Sequence, residues 1–160
     1  MSKVRTFSRV FPKGHPKQGQ PTYFVEKIWE SLYPEIVGWE GFAALKENGF
    51  DIGLNNIYRP KHHTIRSGKH FKAGDYFSPR IWSGQPYASK QIIIAPDIQV
   101  KKVWDFETYG LTTLLNNRPI NHLQWAEVAE NDGLSATDLH DWLKPPFVGQ
   151  IICWNENVNY

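Results

Sequence analysis

Apolar residues recur at helical spacing early in the chain and in short strand-like runs after it. Phe24, Ile28 and Leu32 fall on one side of a helix with Trp29 beside them, while Glu26, Lys27 and Glu30 lie elsewhere. Pro21-Thr22 opens this helix, with Thr22 as a candidate N-cap, and Pro34 ends it. A second helix is predicted over residues 40–46, closed by Asn48-Gly49. Residues 50–58 carry Gly53 and Asn55-Asn56 and predict a short strand and a turn. Thr64-Ile65-Arg66 then enters a strand, and residues 72–75 turn. Residues 76–82 form a β-rich run whose Pro79 places it at a sheet edge or a bulge. Residues 91–95 are a short apolar strand broken by Pro96-Asp97, and residues 98–106 alternate as a half-buried strand does. Residues 123–129 predict a helix stopped by Asp132-Gly133. Ser135 opens another through Leu139 and Trp142, and Lys144-Pro145-Pro146 stops it. Residues 147–154 close the chain as a strand. Residues 1–22, rich in Pro and basic residues, predict irregular structure pinned to the body by Phe7, Phe11 and Tyr23.

The sum is an α+β chain, mainly β, with helices at the ends and in one excursion. A small closed or half-closed barrel manages such short strands well, because it leaves few exposed edges. The 160 residues make one domain with room for a core. Seven Trp, seven Tyr and nine Phe either build that core or leave some rings free to stack on a flat ligand such as a nucleobase. A formal charge of +2 is too small to demand a nucleic-acid polymer as partner. The single cysteine, Cys153, excludes an intrachain disulfide and sits in an apolar context that suits a buried thiol. No apolar run reaches membrane-spanning length, and Lys3, Arg5 and Arg9 precede no apolar signal region, so a cytoplasmic location is the expectation.

Chemistry concentrates in Lys61-His62-His63-Thr64-Ile65-Arg66, followed by Phe71-Lys72-Ala73-Gly74-Asp75 and, much later, Ala129-Glu130-Asn131-Asp132-Gly133-Leu134. This pattern, over roughly residues 55 to 154, resembles the ASCH family of PUA-like β-barrels, which includes small bacterial amidohydrolases that remove the acetyl group from N4-acetylcytidine. The resemblance implies a PUA-like barrel over residues 50–160 with peripheral helices, and an N-terminal helical extension over 1–49. It also implies that Lys61 accepts a proton, Thr64 attacks the acyl carbon and Glu130 donates a proton to the leaving nitrogen. The implied partner is a small nucleoside; PUA-like barrels also bind RNA, and a non-catalytic RNA or modified-base reader is the alternative.

A free lysine titrates near ~10.4, so one acting as a base at neutral pH must be shifted by about three units, roughly 4 kcal/mol. Burial or a nearby cation would do this, and Arg66 and His63 are candidates; Glu130 nearby would oppose it. Side chains three apart in a strand face opposite ways, so Lys61 and Thr64 converge only if Lys61 precedes the strand, as Pro60 allows. Arg66, His63, Arg80, Trp82 and Tyr87 are the candidate substrate-binding residues, with Trp82 and Tyr87 as a stacking wall or, in the plainer reading, as core and turn. His62-His63 lacks an acidic or cysteine partner at ligand spacing, so neither a metal nor a cofactor is expected. Two features depart from the family pattern: about fifty residues before the motif, and an aromatic insert over 80–87.

Overall fold

The computed structural model describes residues 2–47, 50 and 58–160. Among these residues the chain is α+β, with four α-helices and nine strands in two sheets, and the strands close no barrel. No helix among them is long and apolar enough to cross a membrane. The chain divides into two compact units. One takes in the described part of residues 1–60 with residues 76–99, the other residues 61–75 with 100–160.

In the first unit β1 (Lys3–Thr6) runs parallel to β3 (Tyr76–Trp82), which pairs antiparallel with β4 (Gln91–Ile93) and β5 (Ile98–Gln99). β3 is therefore central rather than an edge. Pro79 is tolerated because β5 pairs with residues 76–77 and β4 with 80–82, leaving the missing N–H of Pro79 in the gap between them. Its carbonyl accepts from Ile94 N at 3.1 Å. Helix α1 (Phe24–Leu32) buries Phe24, Ile28 and Trp29 of the expected face together with Val25, while Leu32 at its end is half-buried. The Trp29 indole donates to the Ile94 carbonyl at 2.7 Å. The helix starts two residues after Thr22, whose hydroxyl accepts from Phe24 N at 3.3 Å and donates to Ser8 O at 2.7 Å. Thr22 thus ties down the preceding segment instead of capping. Phe7 and Phe11 are buried, while Tyr23 is half-exposed and stacks on Tyr58. Helix α2 (Gly41–Glu47) matches the second expected helix; its Asn48-Gly49 stop and the strand expected over 50–58 fall almost wholly outside the described residues.

The second unit is a five-stranded antiparallel sheet in the order β2 (His63–Ser67), β9 (Phe147–Cys153), β6 (Lys102–Tyr109), β7 (Thr112–Leu115), β8 (Arg118–Pro119). The alternation expected over 98–106 is real but serves two strands. β5 ends at Gln99, and β6 starts after Val100 has hydrogen-bonded both Gly74 and Asp75 in the turn. Directly opposed residues share a face. One face carries His63, Cys153, Lys102, Trp104, Ile151 and Phe106. Trp125 of α3 (His122–Asn131) packs on Phe106 there, with ring centroids 6.1 Å apart. The opposite face carries Thr64, Arg66, Ile152 and Gln150. Gln150 Oε1 accepts from His70 N and Phe71 N at 2.9 and 2.8 Å, and its amide donates to Phe71 O, so this buried side chain straps the 68–75 loop to the sheet. Helix α4 (Ala136–Leu143) is capped by the Ser135 hydroxyl as expected.

Gly149 opposes Ser67 on β2 and Phe106 on β6. A Cβ there would fall inside 3.0 Å of the Arg66 backbone, a separation that real Cβ atoms essentially never show. Gly149→Ala should therefore cost about 3 kcal/mol in urea unfolding, whereas Gly38→Ala, which meets nothing within 4 Å, should change stability by less than ~0.5 kcal/mol.

Candidate active site

The local sequence brings the C-terminal end of α3 against the segment leading into β2. Asn121 starts α3 with a capping box to Gln124, and Asp132 ends it as the C-cap. The last turn of a helix leaves carbonyls without intrahelical donors and carries partial negative charge. Here those carbonyls are met from β2's lead-in. His62 N donates to Asn131 O at 2.7 Å, and the Lys61 ammonium donates to Asp132 O at 2.5 Å.

The same ammonium lies 3.2 Å from Asp132 Oδ1, and that oxygen is also 3.2 Å from His63 Nδ1. Lys61 is 1% exposed and His63 0%, so this is a buried ion pair with an imidazole on it. His63 Nε2 lies 2.7 Å from the Tyr160 hydroxyl, which receives a bond from Asn131 Nδ2 at 2.9 Å. Among the described residues no donor reaches Asp132 Oδ2.

Burial holds the His63 imidazole below its ordinary range, against the opposing pull of its hydrogen bond to Asp132. His62, half-buried, is lowered by burial and then by His63, and its Nδ1 meets Asn155 Nδ2 at 2.9 Å. Burial pushes the Tyr160 phenol up, so it is a neutral donor. Cys153 is buried, its thiol raised by desolvation, and it donates to Asn155 O at 3.3 Å.

Of the expected residues, Lys61 and His63 come together, two positions apart on one side of the chain. Thr64 is buried and adjacent to His63 on the strand, so it projects to the opposite face. There its hydroxyl accepts from Arg66 Nε at 3.2 Å. Glu130 is exposed near the end of α3, and the carboxylate 3.2 Å from Lys61 is that of Asp132, two residues on. Arg80, Trp82 and Tyr87 belong to the other unit. There the Trp82 and Tyr87 rings lie 5.2 Å apart, Tyr87 is almost wholly exposed, and Arg80 reaches Ser78 and Gln91. Among the described residues no group of three His, Cys, Asp or Glu side chains is placed to hold a metal ion.

Asp132, Asn131 and Tyr160 were not singled out from the sequence. Asp132 reads as a helix stop, yet its position carries a signal. An acidic residue at a helix C-terminus opposes the helix dipole and calls for a cation, which Lys61 supplies. No family model, curated protein or solved structure matches this chain.

Because His63 is lowered in the fold, the unfolded chain takes up its proton first as pH falls. The stability this residue contributes is complete above about pH 6.5 and is lost on further acidification. Urea midpoints should fall between about pH 7 and pH 5, and the fall should be smaller in His63→Asn, measured on both proteins across the same range.

Proposed function

We propose that this chain is an ASCH-like amidohydrolase of PUA-like type, acting on a small acylated nucleobase amide such as N4-acetylcytidine, with Asp132 as the carboxylate in place of Glu130 and with the acid and base roles expected of the carboxylate and Lys61 exchanged. The observation that carries this reading is Asp132 itself. One oxygen is shared by a buried ammonium and a buried imidazole, and the other has no donor among the described residues. A buried ion pair is weak evidence for stability, because desolvating both charges offsets most of their attraction. Ionisable groups gathered in one buried place are more characteristic of sites that move protons.

In this scheme Asp132 Oδ2 takes a proton from a water molecule as the water oxygen attacks the acyl carbon. The C–N bond breaks as Lys61 gives a proton to the leaving nitrogen, freeing the amine and the carboxylic acid, and the proton on Asp132 returns to Lys61. Thr64, on the opposite face of the sheet and bonded to Arg66, takes no step. The net change is one amide and one water to one amine and one carboxylic acid.

A second reading, a non-catalytic reader of RNA or of a modified base, is favoured by a specific feature. Thr64 projects to the face opposite His63 and is already held by Arg66. Incubation with N4-acetylcytidine, following acetate release, separates the two. Turnover should fall by at least ~100-fold in Asp132→Asn and Lys61→Met and persist in Thr64→Val and Glu130→Gln, with near-ultraviolet circular dichroism checking each fold. Binding of acetylated RNA without any acetate release would overturn the enzyme and leave the reader.

A further inference from the structure

The hydrolytic scheme leaves His63 without a step, although it is completely buried in the middle of the cluster. The hydrogen bonds around it run in one direction. Asn131 Nδ2 can only donate, and it lies 2.9 Å from the Tyr160 oxygen. The phenol's single proton is then left for its other neighbour, His63 Nε2 at 2.7 Å. An accepting Nε2 requires the ring proton on Nδ1, where it faces Asp132 Oδ1 at 3.2 Å. Lys61, on the same oxygen, disfavours a second positive charge beside it.

The phenol is held in place by more than this bond. Its ring packs on Trp104 with centroids 5.0 Å apart and meets the imidazole edge-on at 5.8 Å. The segment before it is clasped by the Lys102 ammonium, which donates to Glu156 O, Val158 O and Asn159 Oδ1 at 2.8, 2.7 and 2.6 Å.

We propose that Asn131, Tyr160 and His63 are positioning residues for Asp132. Their one-way chain of donors locks His63 as the neutral tautomer protonated on Nδ1, fixes Asp132 Oδ1 and turns Oδ2 toward the substrate. The substrate half of this statement rests on the amidohydrolase reading; the tautomer half does not. The ionisable groups around the imidazole are Lys61 and His62 from its own segment, Asp132 from the end of α3, Cys153 opposite it on β9 and Tyr160; Glu127 of α3 acts on the phenol.

The test is long-range proton–nitrogen correlation NMR on the full chain with labelled histidine, near neutral pH. The native spectrum should show His63 protonated on Nδ1 alone. Tyr160→Phe should shift it to a mixture of tautomers or to the imidazolium, and Asn131→Ala should do so more weakly. On N4-acetylcytidine, Tyr160→Phe should lower kcat about tenfold with KM nearly unchanged. His63→Asn, whose amide can still donate to Oδ1, should retain turnover that His63→Leu loses. A native His63 in any other form, or a Tyr160→Phe spectrum like the parent's, overturns the lock whatever the turnover. An unchanged kcat in Tyr160→Phe overturns the positioning role. Absence of turnover in the parent refutes the amidohydrolase reading, and with it the substrate half, while the spectra still decide the lock.

Discussion

A lysine ammonium removed from water has to find its donors' partners inside the protein, and Lys61 finds them on a single residue. Asp132 offers its main-chain carbonyl and one side-chain oxygen. The order of the surrounding pieces follows from that need. The segment leading into β2, which carries Lys61, must lie against the end of α3, and α3 must stop where its last carbonyls can be reached. The two-residue step from Lys61 to His63 then brings the imidazole to the same carboxylate. Breaking one partner of such a pair leaves the other charged and buried, which is far costlier than never having built it.

The helical half of the fold was legible because amphipathic spacing and caps are local. The face of α1, the Ser135 cap and the proline stop after α4 all follow from neighbours a few positions apart. Pro79 signals an edge or a bulge for a sound local reason. What made it acceptable at the centre of a sheet was a gap between two partner strands, which no local pattern encodes. In the same way, the alternation of 98–106 was visible, but the hand-over at Val100 depends on hydrogen bonds to residues 74 and 75.

The site was legible by half. The motif at 61–66 points to Lys61, His63 and Thr64, with Pro60 expected to let Lys61 and Thr64 converge; Thr64 instead follows His63 on the strand and faces the other way. The expected carboxylate is Glu130, whereas the carboxylate beside Lys61 is that of Asp132. Glu130 and Asp132 are both acidic and both close to the helix end, and only the three-dimensional position of the C-cap distinguishes them. Tyr160 lay beyond any motif. Its role depends on where the segment after β9 returns, set by Lys102 and Trp104 rather than by any spacing in the chain.

The two units are interleaved along the polypeptide: the chain passes from one to the other after residue 60, back after 75, and across again after 99. Lys61 and His63 arrive in the short middle excursion, while Asp132 comes with the later one, 71 residues from Lys61. Loop closure over such a distance must precede the contact that rewards it. During synthesis, the acidic partner emerges long after the base it will meet, so the ion pair can form only once most of the polypeptide is available, and no single cleavage releases a fragment that contains one unit whole and nothing of the other.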